Sequence, residues 1–260
     1  MQKSYAILVF IAGLPAGLAG QNAGAAATAP LSPQEAAPVN LTGYWVSIVS
    51  EDWRWRMVTP PKGDTESVPL NPEGKRVANT WDPAKDEAAG LQCKAYGAPA
   101  IMRVPGRIHI TWDDDRTLKI ETDAGRQTRL FHFDGKPPAG ARPSVQGYSA
   151  ARWEPGLAPQ PAAGQPPQVG VRLGQRSRSL EVVTRNLSPG YLRKNGVPYS
   201  TDATLTEYYD LFTEPAGEER ITVTTIVNDP QYLAMPFVTT TDFNKETDGG
   251  KWDPVPCTSK

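Results

Sequence analysis

Residues 204–244, TLTEYYDLFTEPAGEERITVTTIVNDPQYLAMPFVTTTDFN, decide the fold. Three β-prone runs, 204–213, 219–227 and 236–244, are separated by short segments rich in Gly, Pro, Asn and Asp, the punctuation expected between strands. In the first run, alternation puts Leu205, Glu207, Tyr209 and Leu211 on one face, so a carboxylate shares a side with apolar neighbours. Working outward, similar runs occur at 43–50, 53–58, 99–104, 107–112, 117–122, 126–133, 147–153 and 179–186. So many short strands indicate an all-β fold. An open antiparallel sheet of this size leaves exposed edges, and closure removes them. An antiparallel, lipocalin-like barrel is therefore expected, with a β-sandwich as the alternative. Helix is expected only near 71–89, where Asn71 before Pro72 and Asp82 before Pro83 are start signals and Gly90 is a stop. A Pro-rich insertion, 154–168, and a long connection, 187–203, interrupt the strand pattern.

The ends bound the compartment. Lys3, the apolar run Tyr5 to Leu18 and the small residues after it have the order of a secretory signal, expected over 1–20. A membrane anchor is the alternative, but the run is shorter than the roughly 18–20 apolar residues of a span and contains Gly13 and Pro15, so no stable membrane span is expected. Residues 21–40, rich in Ala, Pro, Gly and Gln, read as a disordered leader, and 41–260 as a single domain in the periplasm or outside the cell. The formal net charge is −1. A chain without basic excess is not built to bind nucleic acid. Cys93 and Cys257 are the only cysteines. In an oxidising compartment they are expected to form a disulfide, two free thiols being the alternative.

The passages LTGYWVSIVSEDWRWRM (41–57), GYSAARWE (147–154), SLEVVTRN (179–186), LTEYYDLF (205–212) and TTIVNDPQYLAMPFV (224–238) are, in this order, similar to a group of uncharacterised exported bacterial proteins. That group carries a T-E-R-[FY] strand and a V-x-D-P-x-x-[YL]-x-x-P-[FW] ending. The resemblance implies an exported, lipocalin-like barrel and brings no activity with it. The chain departs from the pattern at Pro155, which follows Trp153-Glu154, and at Tyr208, which stands where the group has Arg.

Candidate chemistry is sparse. There is no G-x-S-x-G and no H-E-x-x-H, and no metal or cofactor is implied. In 107–112 the apolar set Ile108, Ile110 and Trp112 leaves His109 on the other face, opposite Glu121 of the next strand. His132, in phase with Leu130, is expected on the apolar face, so that the two histidines point to opposite sides. The triple aspartate 113–115 reads as a hairpin turn. In 53–56, Trp53 and Trp55 share one face and Arg54 and Arg56 the other, which reads either as an aromatic wall for a ligand backed by an anion-binding pair or as a core strand with a solvated, salt-bridged outer face. Glu207, on an apolar face, needs a partner, and Arg129, Arg152 or Arg185 could supply it. The leading expectation is a binding protein holding a small hydrophobic or amphipathic molecule inside the barrel, lined by Trp45, Trp53, Trp55, Trp112 and Tyr209, with Arg54, His132, Arg185 and Glu207 as polar contacts. The alternatives are a hydrolase or isomerase with Glu207 or His132 as general base, and an accessory subunit docking a larger exported protein partner.

Overall fold

The computed structural model describes residues 30–154 and 179–259. The expected signal and most of the Pro-rich insertion lie outside them. From Leu31 onward the chain forms one compact unit.

Thirteen strands follow in chain order: β1 (Gly43–Ile48), β2 (Arg107–Asp114), β3 (Thr117–Thr122), β4 (Ala124–Gly125), β5 (Thr128–His132), β6 (Tyr148–Trp153), β7 (Ser179–Arg185), β8 (Gly190–Arg193), β9 (Val197–Tyr199), β10 (Thr204–Thr213), β11 (Glu219–Asn228), β12 (Phe237–Lys245) and β13 (Val255–Pro256). Nine of them close a barrel in the order β1-β12-β11-β10-β7-β6-β5-β3-β2. Its neighbours are antiparallel except β5 and β6, which run parallel. The all-β barrel is thus as expected. Alternation along β10 puts Leu205, Glu207, Tyr209 and Leu211 inside, as read from sequence.

The barrel is filled. A water-sized void would leave accessible surface on the side chains around it, and Trp45, Ile120, Phe131, Val182, Tyr209 and Val223 have none. A second cluster, including Leu70, Ala78, Leu192, Val197, Tyr199 and Leu233, closes one end over Leu205, Val227 and Phe237. This cap is built from segments between β1 and β2, the β8–β9 hairpin, and the 229–236 turn. Asp229 ties it together: its carboxylate accepts from Ser200 N at 2.6 Å, Ser200 Oγ at 2.8 Å and Gln231 N at 2.9 Å. Cys93 and Cys257 are disulfide-bonded, with Cα atoms 5.2 Å apart. Of the expected leader, residues 31–40 lie against the body, where Trp153 Nε1 donates to the Pro33 carbonyl at 3.0 Å.

Three expectations need correction. Residues 53–58 are not a strand but contain a helical turn, α1 (Trp53–Arg56), because Asp52 adopts a left-handed φ of 51° and its carbonyl accepts from Trp55 N and Arg56 N. Residues 99–104 likewise open in helix, α4 (Ala98–Ile101), after the 3₁₀ turn Gln92–Tyr96. Pro99 in its first turn has no N–H to lose there and a φ already suited to helix. The expected helix 71–89 is two helices, α2 (Pro72–Ala78) and α3 (Pro83–Ala88), each capped as read: Asn71 Oδ1 accepts from Gly74 N at 2.8 Å and Asp82 Oδ1 from Ala84 N at 3.1 Å.

The third correction concerns phase. In β5, Arg129 and Phe131 point inward while Leu130 is 38% exposed and His132 stands on the outer face. Register on β3 sets this, since Leu118 opposes Phe131 and Ile120 opposes Arg129. Both histidines are therefore outside: His109 is stacked on Tyr44 at 4.0 Å and opposite Glu121, and His132 is stacked on Tyr148 at 4.8 Å.

Candidate functional site

Two sets of buried arginines carry the polar chemistry of the molecule. The first lies inside the barrel. Arg129 donates from Nη1 to Glu207 Oε1 at 2.9 Å and from Nη2 to Oε2 at 2.6 Å, a forked pair with both side chains fully buried. Tyr209 Oη donates to Glu207 Oε1 at 3.2 Å, and Arg129 Nη2 reaches Thr184 Oγ1 at 3.4 Å. Burial alone lowers an arginine's pKa, but the Glu207 carboxylate outweighs it and holds Arg129 above its ordinary value. Burial, reinforced by Glu207, raises the Tyr209 hydroxyl well above its usual range. Both oxygens of Glu207 are thus engaged. Of its three possible partners, Arg152 instead pairs with Glu181 on the outside, and Arg185 is exposed.

The second set lies at the capped end. The turn at Asp52 brings Arg56 beside the segment that leads into β2, where its Nε donates to the Arg103 carbonyl at 2.9 Å. Arg56 also pairs with Glu51, and Arg103 Nη2 donates to Asp52 Oδ2 at 2.7 Å. From the opposite wall, the β8–β9 hairpin contributes Arg193, whose guanidinium lies over the Trp55 ring at 4.8 Å. The hairpin is held there by Asn195, whose Nδ2 donates to the carbonyls of Pro61 at 3.0 Å and Asp64 at 2.8 Å. Its turn requires Gly196: φ is 81°, and a Cβ would stand 2.3 Å from the Trp81 side chain.

Trp55, Arg56, Arg103 and Arg193, with Val58, Val104 and Leu192, line a cavity of about 30 Å³ that opens to solvent. Arg193 is 4% exposed, yet its Nε, Nη1 and Nη2 have no hydrogen-bond partner among the described residues. Arg56 Nη2 and Arg103 Nη1 are also unpartnered. Burial, with the charge of Arg103, pushes the Arg193 pKa down to about 10. Burial likewise lowers that of Arg56, against the opposing pull of Glu51. A buried charge without a partner is costly, whereas a guanidinium fork matched to a carboxylate or phosphate is among the strong hydrogen-bonding arrangements. The cavity is therefore poised to receive an anion.

The residues predicted from sequence are scattered by the fold. Trp45, Glu207 and Tyr209 are buried, the last two hydrogen-bonded to each other inside the barrel. Trp55 and Arg56 of the residues singled out from sequence line the arginine cavity. Trp53 is exposed at the surface, and Arg54 pairs with Asp64 and Glu66 in solvent. Trp112 lies at the other end of the barrel against Phe133. His132 and Arg185 are on the outside. Arg103 and Arg193 were missed, although each carries the signal that singled out Glu207, a charge among apolar neighbours: Ile101-Met102-Arg103-Val104 and Tyr191-Leu192-Arg193.

Among the described residues no helix is long and apolar enough to cross a membrane, and no group of three His, Cys, Asp or Glu could hold a metal ion. No family model, curated protein or solved structure matches the chain.

Proposed function

We propose that this is a binding protein for a small organic anion, seated in the arginine cavity at the capped end of the barrel. The carrying observation is Arg193, which is buried and has no hydrogen-bond partner among the described residues on any of its three guanidinium nitrogens. Arg56 Nη2 and Arg103 Nη1 add two further donors to the same cavity. A filled barrel interior in which Glu207 is already paired with Arg129 supports placing the ligand at the end of the barrel rather than within it. The disulfide and the secretory-type N-terminus support work in an oxidising compartment outside the cytosol.

Isothermal titration calorimetry with acetate, larger carboxylates, phosphate and sulfate tests the reading. Saturable binding of an anion that is lost in Arg193→Met is the expected result. Absence of binding across the panel overturns it.

A further inference from the structure

The cavity's charge balance and the side chains exposed beside it narrow the ligand, on the reading that the site takes an anion. Arg56 is paired with Glu51 and Arg103 with Asp52. Asp64 and Glu66 are paired with Arg54. Lys194, also at the cavity, has its ammonium over the Tyr96 ring at 5.0 Å and within 3.5 Å of Thr258 Oγ1. That leaves Arg193 as the guanidinium whose charge has no carboxylate of its own. Across Arg54, Arg56, Arg103, Arg193 and Lys194, five cations face the four carboxylates of Glu51, Asp52, Asp64 and Glu66, so one negative charge balances the site and a dianion overshoots.

Exposed apolar side chains adjoin the cavity in sequence. Val58 lines the cavity and is 69% exposed. Met57 beside it is 59% exposed, and Trp53, one helical turn back, is 67% exposed. Met57 N donates to the Trp53 carbonyl at 2.9 Å, which keeps the two on one face of α1. Large apolar side chains grouped in water mark a binding surface.

We propose that the cavity takes the carboxylate head of a monoanionic amphiphile, the head on Arg193 and its apolar tail laid over Val58, Met57 and Trp53. The guanidinium fork accepts the two oxygens side by side, and the tail gains by leaving water.

Calorimetry on the full chain with octanoate, acetate, inorganic phosphate and octylammonium tests this. Octanoate should bind more tightly than acetate, by about tenfold for every two methylenes covered, with phosphate weaker than octanoate and octylammonium not bound. Arg193→Met should abolish octanoate binding. Met57→Ser combined with Val58→Ser, at exposed positions that leave folding intact, should bring octanoate affinity down toward that of acetate. If acetate, phosphate and octanoate bind equally, and all through Arg193, the tail inference is overturned while the anion reading stands. If octylammonium binds as well as octanoate, the carboxylate is overturned. If none of the three anions binds, the anion reading falls and this inference falls with it.

Discussion

Arg129 and Arg193 are the same side chain put to opposite uses. Both are buried, but Arg129 has a forked carboxylate, a tyrosine and a threonine around it, whereas Arg193 has an aromatic ring beneath it and no hydrogen-bond acceptor among the described residues. The first arrangement has both ends of its guanidinium fork engaged from within the chain, leaving only Nε unpartnered, so it organises the barrel and has little left to offer a ligand. The second has unmet donors on a solvent-reaching cavity, so it gains from a ligand what it lacks from the fold. Burial by itself does not mark a binding residue; burial with unmet hydrogen-bonding capacity does.

The comparison can be broken or sharpened by substitution. The largest effect is expected from the disulfide, which closes a loop of 164 residues and pins the tail to the capped end. Replacing both cysteines by alanine should lower unfolding free energy by about 5 kcal/mol in the chain-entropy model, read from urea denaturation. Next, Glu207→Leu leaves Arg129 charged and unpaired in the barrel and should cost about 3–5 kcal/mol. Adding Arg129→Met should restore most of that loss, because a filled apolar interior tolerates the pair's removal better than its division. A double variant no more stable than Glu207→Leu would mean that the pair was not the reason for the loss.

Smaller effects separate the two arginines more finely. Tyr209→Phe removes the hydroxyl that donates to Glu207 and should cost about 1 kcal/mol, seen as a lower urea midpoint at unchanged slope. Arg193→Met should leave stability unchanged or raise it by about 1 kcal/mol, since it deletes a buried cation that lacks a partner. In the same thermal melts, any stabilisation by added carboxylate should vanish from Arg193→Met and persist in Tyr209→Phe. A loss of several kcal/mol on Arg193→Met would erase the contrast and make Arg193 a structural residue like Arg129.

Much of the barrel was legible because its signals are local. The alternation of β10, the hairpin turn between β2 and β3 at the end of the aspartate run, and the caps at Asn71 and Asp82 act within a few residues, and each was readable in outline. The misread segments were those where local signals compete. Trp53-Arg54-Trp55-Arg56 alternates like a strand, but the left-handed Asp52 starts a helical turn, and a period of two cannot register that. In β5, Leu130 suggested the inward face, yet the inward residues are Arg129 and Phe131. An arginine is costly inside a barrel unless a carboxylate meets it, and that carboxylate sits 78 positions away on β10.

The sequence by itself determined the nine strands of the barrel, the turn and cap chemistry, the pairing of the two cysteines in principle, and the need of Glu207 for a cationic partner. Only the tertiary structure decided which arginine answers Glu207, and that Arg56, Arg103 and Arg193 converge on one cavity with donors unmet. The reason is physical: periodicity and turn propensity are set by neighbours along the chain. Whether a charge is satisfied depends on groups that distant strands bring within about 3 Å, and no local pattern encodes that distance.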